Sequence, residues 1–273
     1  MEFQITGSIV LYKSDDAVRQ AISSFLNTSL PVKLFLVDNS PTDELKSKLA
    51  EFIADQRVEY IFNNANIGFG AAHNVAIRKA LDMAPYHLVL NPDVSFEAGV
   101  LEQLYDYAEQ NKDAGLISPK IMYPDGSLQY ACKLLPTPVD MIFRRFLPAK
   151  AIEKRMEQFE MKSSGYNKEM QAPYMSGCFM FLRTSALKKI GLFDERFFMY
   201  PEDIDLTRRM HHEYKTMFYP DVHIIHAHAR GSYKSLRLFW IHIVNMILYF
   251  NKWGWMFDRE RKKVNAQIRS QYQ

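Results

Sequence analysis

Val32-Lys33-Leu34-Phe35-Leu36-Val37-Asp38-Asn39-Ser40 reads as a short apolar strand that stops in a polar cluster. His87-Leu88-Val89-Leu90-Asn91-Pro92-Asp93 repeats the pattern further on. Runs this short and this continuously apolar suit strands covered on both faces. Working outward, Ile5 to Leu11 is a further strand, and Val58 to Phe62 another. Between them lie helix-length segments. Asp15 to Asn27 carries Val18, Ile22, Phe25 and Leu26 at helical spacing. Thr42 to Ala54, Gly68 to Met83 and Glu97 to Gln110 also read as helices, and Gly115 to Ser118 as a strand. This alternation predicts an α/β fold: a Rossmann-like, mostly parallel sheet with flanking helices. Ligands of such sheets bind beyond the carboxyl ends of the strands. Asp38-Asn39-Ser40 and Asn91-Pro92-Asp93 both fall there.

Beyond Ile121 the pattern loosens. Tyr123-Pro124-Asp125-Gly126 is a turn signal. Residues 133–170 are basic and methionine-bearing without a clear strand, and read as an excursion over the sheet. Regularity returns at Pro173 to Leu182, followed by a short helix at Ser185 to Ile190 and another starting near Pro201. Thr216 to Tyr219 and Val222 to Ile225 read as two short strands, and Leu236 to Phe250 as an amphipathic helix with a polar tail after it.

The bulk properties narrow the field. With 273 residues, 48% of them hydrophobic and 24% charged, the chain has the composition of a folded globular protein. A net charge of +3 is too mild for a nucleic-acid binder, but suits an anionic small molecule or membrane surface. Cys132 and Cys178 have neither metal-site nor disulfide spacing, and fit a reducing cytosol. The start, Met-Glu-Phe-Gln-Ile, lacks the order of a signal peptide. The longest apolar run, Phe239 to Phe250, is interrupted by His242 and Asn245 and is shorter than the ~20 residues a bilayer requires.

Several residues could carry chemistry. Asp38, at a strand end, suits either a nucleobase or ribose contact or a simple turn. Asn66-Ile67-Gly68-Phe69-Gly70-Ala71-Ala72-His73-Asn74 opens a helix with small residues, which favours an anion, but it matches no dinucleotide fingerprint or P-loop. Asn91-Pro92-Asp93 is either a turn or a cation site shared with a diphosphate. Glu202, Asp203 and Asp205 crowd one helix start. They form either a solvated acidic first turn or, behind the aromatic run from Phe197 to Tyr200, a walled general base. His226 and His228 would share one strand face and His223 the other, with His226 poised to reach a cleft.

Taken in order, these pieces resemble the family 2 glycosyltransferases of GT-A fold, and within them the bacterial rhamnosyltransferase-like branch. The matching segments are Val37 to Ser40, Asn66 to Asn74, Asn91 to Val94, Ser176-Gly177-Cys178-Phe179-Met180 and Gly191 through Leu206. The resemblance runs from about Ile5 to Ser232. It implies a GT-A domain over residues 1–232, with 133–170 as a variable acceptor-side segment. Residues 233–273 would be a C-terminal helical extension and basic tail.

The resemblance also implies roles. Asp38 and Asn39 would hold the nucleobase side of the donor, with the backbone near Val10 and Tyr12. Asn66, Gly68, Gly70 and Asn74 would line the nucleotide pocket. Asp93 matches the last acid of the family's metal motif, while Asn91 stands where its first acid is expected. That exchange weakens the case for a strict requirement for the divalent cation, Mg2+ or Mn2+. His226 would sit near the metal or diphosphate. Asp203 matches the catalytic base of a single inverting displacement, with Glu202 and Asp205 on the acceptor side. The implied reaction takes a sugar from dTDP-rhamnose or a UDP-hexose to a glycan or polyprenyl-diphosphate-linked acceptor, in O-antigen or capsule synthesis. It would occur in the cytoplasm at the inner membrane face. The apolar helix and basic tail suit peripheral membrane contact, or alternatively packing on the domain or in a homodimer. A non-catalytic binding scaffold is the alternative from another class. A sugar nucleotidyltransferase would need a Gly-rich loop with Arg and Lys after the first strand, and Ile9-Val10-Leu11-Tyr12-Lys13-Ser14 has none.

Overall fold

The computed structural model describes residues 2–145, 147–227 and 236–271. The amino-terminal half alternates as expected: β1 (Ile5–Leu11), α1 (Ala17–Leu26), β2 (Val32–Asp38), α2 (Glu44–Lys48), α3 (Ala50–Ile53), β3 (Val58–Phe62), α4 (Phe69–Ala80) and β4 (Tyr86–Leu90). A two-residue β5 (Val94–Ser95), α5 (Val100–Gln110) and β6 (Ala114–Met122) follow. The Thr42–Ala54 segment differs from the single helix expected. Leu45 and Leu49 both enter the core, and the backbone leaves helical geometry at Leu49 (φ −109°, ψ 16°), separating α2 from α3.

The excursion after Ile121 is ordered rather than strandless. It contains β7 (Cys132–Lys133), α6 (Pro138–Met141), α7 (Ala149–Phe159), β8 (Met170–Gln171) and β9 (Tyr174–Met175), with β7 and β9 paired antiparallel. Its apolar residues explain the order: Phe159, Met161, Tyr166 and Met170 are all buried in a second core cluster. The Tyr166 hydroxyl reaches the carbonyl of Cys132 at 2.6 Å.

The chain then returns to the sheet through β10 (Phe179–Arg183), α8 (Thr184–Ile190), α9 (Glu202–Glu213) and β11 (Lys215–His226). The two short strands expected after Lys215 are one strand with a register shift between Tyr219 and His223, where Pro220 interrupts the ladder. The main sheet runs β3-β2-β1-β4-β10-β6-β11-β5, with β8 added beside β11. β1 is parallel to both β2 and β4, so the chain direction of winding reverses between β1 and β4. That reversal opens a crevice at the carboxyl ends of the strands.

Two large cores hold the layers, with a smaller cluster of Phe35, Val37, Ala72, Ala76 and Ala80 under α4. One packs α1 and α5 on the sheet, and the other packs α8, α9 and the carboxy-terminal α10 (Leu236–Trp253) on its opposite side. A buried polar stack lies between α4 and the sheet. Ser8 Oγ sits 2.7 Å from His73 Nδ1 and 2.8 Å from His87 Nε2, and Thr6 Oγ1 sits 2.9 Å from His87 Nδ1. Burial drives the His87 imidazole down to about 3, so it stays neutral. The polar tail expected after Phe250 contains a final helix, α11 (Arg259–Arg269), capped by the Asp258 side chain.

Candidate active site

The donor side is built where β1 and β2 end. The N–H of Asn39 donates to the Leu11 carbonyl at 2.8 Å, so the two strand ends are tied together. Asp38 is fully buried. One of its carboxylate oxygens accepts from the Ser40 N–H at 2.8 Å, and the other from the Tyr60 hydroxyl. Burial and the Asp38 charge both push the Tyr60 phenol up, keeping it a donor. The Asn39 amide donates to the Gly68 carbonyl at 3.1 Å and accepts from Asn63 at 2.8 Å. Asn66 Oδ1 accepts from the Gly68 N–H at 3.2 Å. Val10 is half-buried and Tyr12 exposed at the mouth of this cluster.

Gly68 connects this cluster to the acidic helix. Its φ of +93° is left-handed, and a Cβ there would lie 2.5 Å from the Phe198 carbonyl oxygen. The next N–H, from Phe69, donates to that same oxygen at 3.0 Å. Asn74 and Gly70 depart from the pocket-lining role implied by the resemblance. Asn74 is buried; its amide donates to the Phe193 carbonyl and to Glu195, and accepts from the Phe193 N–H at 3.1 Å. Gly70 lets α4 close on the same segment, since a Cβ would meet Phe193 Cβ at 2.9 Å. Both residues clamp the 193–195 loop.

The acidic cluster divides by direction. α9 begins at Glu202 after Tyr200, whose φ of 95° is strained for an aromatic residue. Asp203 is buried, and its Oδ2 accepts from the Gly177 N–H at 2.9 Å. Burial pushes its carboxyl up to about 6, against the pull of the Gly177 and Ile204 N–H groups and Lys133. Glu202, also buried, has one oxygen without a hydrogen-bond partner. Burial and then the Asp203 charge push Glu202 up further, so it is neutral at pH 7 and leaves the negative charge on Asp203. Asp205, expected on the acceptor side, instead faces the interior. It is fully buried and accepts from Arg209 at 2.9 Å and from the Trp253 indole at 2.8 Å, with Lys252 at 2.6 Å. Helix periodicity explains the difference: Asp205 lies two residues, about 200°, round from Asp203.

The third group lies around β5 and the end of β11. Pairing of His226 with Val94 sets His226 beside Asp93, with Nε2 and Oδ1 3.4 Å apart. His226 Nδ1 lies 3.0 Å from Gln129 Oε1. Burial opposes charge on this imidazole, but Cys178 and Asp93 outweigh it and push the group up to about 10. His223 is exposed on the opposite face, and His228 lies outside the described residues. Asn91 reaches the same place through its N–H, which donates to the Cys178 carbonyl at 2.9 Å.

Two consecutive residues therefore join the parts: Gly177 holds Asp203, and Cys178 holds Asn91. Neither role is legible in the sequence, nor is that of Lys133. The Lys133 ammonium lies over the Tyr174 ring at 5.1 Å, and its charge favours the ionised form of Asp203. Lys133 lies far from Asp203 in sequence and belongs to no motif. Among the described residues no three His, Cys, Asp or Glu side chains converge as a metal cage. Asp93 fits a cation that takes most of its oxygen ligands from a bound diphosphate and water, whereas His226, held charged beside Asp93, would join such a cation only after giving up its proton and otherwise suits the diphosphate itself.

The sheet order, the crevice and a buried carboxylate at the head of α9 define a GT-A glycosyltransferase. The chain belongs to glycosyl transferase family 2, whose model matches residues 8–191. It is 29% identical over 222 residues to the N-acetylglucosaminyl-diphospho-decaprenol L-rhamnosyltransferase of Mycobacterium tuberculosis, covering 76% of this chain and 70% of that protein. It is 23% identical over 271 residues to rhamnosyltransferase WbbL of Escherichia coli K12, covering 94% of this chain and 97% of that protein. Among solved structures, GalNAc-T7 with UDP, GalNAc and Mn2+ superposes with a TM-score of 0.63 at 16% identity, over 82% of this chain and 43% of that one. That likeness is one of fold.

Proposed function

We propose that this enzyme transfers rhamnose from a deoxythymidine-diphosphate donor to a polyprenyl-diphosphate-linked glycan, by one inverting displacement, in synthesis of a surface polysaccharide such as O-antigen or capsule. The observation that carries the reading is the placement of Asp203. Its carboxylate is buried, fixed by the Gly177 N–H, and one residue of backbone away from the Asn91–Asp93 strand end. A carboxylate pushed up to about 6 is charged at pH 7 yet basic enough to take a proton from an acceptor hydroxyl. That assistance is typically worth ~10²–10⁴-fold in rate. Glu202, held neutral beside it, keeps a second negative charge out of the site and lies on the acceptor side.

Asp38, Asn39 and the backbone at Val10 and Tyr12 hold the nucleoside in this reading, with Asn66 and Gly68 shaping the pocket beside it. Asp93 would hold a divalent cation, Mg2+ or Mn2+, joined by His226 if the ion displaces the imidazole's proton, and the ion would supply charge to offset that building on the departing diphosphate. A lipid-linked acceptor would put the reaction at a membrane, and its inner face is the side this reading favours. Supporting this reading, the two relatives described above carry the name rhamnosyltransferase, and one of them is named for a decaprenol-linked acceptor.

A donor panel tests it. dTDP-rhamnose should raise the melting temperature more than UDP-glucose, UDP-galactose or their N-acetylated forms, and should be consumed only when a lipid-linked acceptor is present. Preference for a UDP-hexose would replace the sugar. Binding without turnover of any donor would make the chain a scaffold, and pyrophosphate-dependent donor breakdown would make it a nucleotidyltransferase.

A further inference from the structure

α10 has its apolar residues on both faces. The inner face, through Met246, Tyr249 and Phe250, is buried in the core. The outer face carries Leu236 (81% exposed), Trp240 (62%), Val244 (53%), Ile247 and Leu248. Successive steps of three and four residues align them in one stripe about 18 Å long. A solvent-facing helix stripe without a charge along its centre marks an interaction surface. Directly after the helix, Trp255, Met256 (69% exposed) and Phe257 (94% exposed) project from the turn into α11. The outward face of α11 is basic: Arg259, Lys262, Lys263 and Arg269 are exposed within one arc of that helix. The segment's two acids are paired elsewhere: Asp258 lies buried between Arg208 and Arg261, and Glu260 meets Arg208.

We infer that the α10 stripe, the Trp255-Met256-Phe257 turn and the basic face of α11 form one docking surface for an anionic lipid bilayer. Aromatic and aliphatic groups entering the interface beside Lys and Arg at the headgroups are what such a surface requires. Among the described residues no helix is long and apolar enough to cross a membrane, so α10 lies along the surface. The charge complementarity selects anionic lipid over a second copy of this chain, whose equivalent face would bring like charges together.

The surface also bears on catalysis, and this step rests on the lipid-linked acceptor proposed above. On the inner side of α10, Asn245 Oδ1 accepts from the Phe198 N–H at 2.8 Å, and the His242 ring meets Tyr200 edge-on at 5.1 Å between centroids. Phe198 and Tyr200 lead straight into Glu202 and Asp203. One helix thickness, about 10 Å, therefore separates the lipid-facing stripe from the catalytic turn. A bilayer on the outer face brings a membrane-bound acceptor within reach of Asp203.

Deleting α10 would remove core residues, so the test uses exposed positions in the full chain. The double variant Trp240→Glu/Phe257→Glu and the double variant Lys262→Glu/Lys263→Glu are compared with wild type in flotation on phosphatidylglycerol-containing and pure phosphatidylcholine vesicles. Melting temperatures and circular dichroism establish that each variant is folded, and Val244→Lys provides a second apolar-face variant. The expected result is at least a tenfold weaker partition for either double variant on anionic vesicles, with little binding of any form to pure phosphatidylcholine. Wild-type flotation by folded variants overturns the inference. So does a wild-type dimer that Trp240→Glu dissociates, which would make a second copy the occupant. Transfer to a short-chain, detergent-soluble acceptor is measured in parallel. Its retention by non-floating variants supports the docking role, and its absence in wild type that floats removes the proposed function while leaving the surface standing.

Discussion

The Gly177 N–H lies 2.9 Å from Asp203 Oδ2, so the backbone itself orients the carboxylate at the head of α9. The position is tight: a Cβ on Gly177 would lie 3.0 Å from Asp203 Cβ, so Asp203 would have to give by a few tenths of an ångström to admit it. Gly177→Ala should therefore displace Asp203 without unfolding the sheet. Steady-state kinetics should show kcat down about tenfold or more, because small misplacements of a catalytic group are costly, with donor KM nearly constant. A rise in donor KM with kcat intact would move Gly177 from positioning the base to binding the donor.

Asp203→Asn should keep the shape of the site and lose the base. Transfer should fall by ~10²–10⁴-fold while donor-induced thermal stabilisation persists. In wild type, kcat/KM should fall as pH drops through about 6, because protonated Asp203 cannot accept a proton. A profile flat from pH 7 to pH 5, or a fully active Asn variant, would assign the base elsewhere.

The parts of this site differed in how far they could be read from residues alone. β2 and β4 were legible because strands covered on both faces become short, largely apolar runs, and their polar ends mark the crevice, whereas β1 carries Thr6, Gly7 and Ser8 inside it and shows mainly through Ile9, Val10 and Leu11. β11 was read as two strands because Pro220 breaks the periodicity but not the strand. α11 was taken for a tail because charged residues dominate it, leaving only Val264 and Ile268 as core contacts. Gly70 and Asn74 lie in the first turns of α4, in a stretch that looks like a nucleotide motif. Their partners at 193–195 are more than a hundred residues away, and local pattern carries no sign of that pairing. Asp205 was grouped with Asp203 by proximity in sequence, and one glance round the helix separates them. The long-range influence of Lys133 on Asp203 had no local signal at all.

Burial and the neighbouring Asp203 charge hold the Glu202 carboxyl above the usual carboxylate range. A group raised in this way binds its proton more tightly folded than unfolded. Stability is therefore highest at low pH with respect to this group, and declines as pH rises from the unfolded value toward the folded one. Glu202→Gln removes that decline. Urea unfolding should find variant and wild type similar near pH 5, with the variant ahead near pH 8 by on the order of 1–3 kcal/mol. A constant gap at both pH values would mean that Glu202 is ionised in the native state.

Asn91 occupies a strand end beside Asp93, and brings a carbonyl where a carboxylate would add charge. If the Asp93–His226 pair accepts a cation, Asn91→Asp should tighten it. In thermal shift with nucleoside diphosphate and Mn2+, the variant should bind Mn2+ about tenfold better, equivalent to about 1.4 kcal/mol. His226→Gln should weaken the same response. Identical Mn2+ titrations in all three proteins would argue that the diphosphate is held without the ion.

Arg208 anchors the carboxy-terminal segment to the catalytic helix. Its guanidinium donates to both Asp258 oxygens, at 2.8 and 2.9 Å, and lies 4.1 Å from the centre of the Trp253 ring. Arg208 and Asp258 are both buried, so the pair is shielded from salt. Arg208→Met would leave the Asp258 charge in the interior, with the N–H of Arg261 at 2.8 Å as a remaining donor. Breaking such a pair from one side typically costs ~3–5 kcal/mol, and that remaining hydrogen bond should hold the loss near the lower end. Adding Asp258→Asn should recover part of it, since no charge is then stranded. Urea unfolding of the single and double variants measures both effects, and limited proteolysis should find new cleavage in the turn around Met256. A loss below about 1 kcal/mol in Arg208→Met would mean that α11 is held by Val264, Ile268 and the bonds of Arg261 and Asn265 to the 135–136 backbone, and that the lipid-facing segment is not coupled to α9 through this pair.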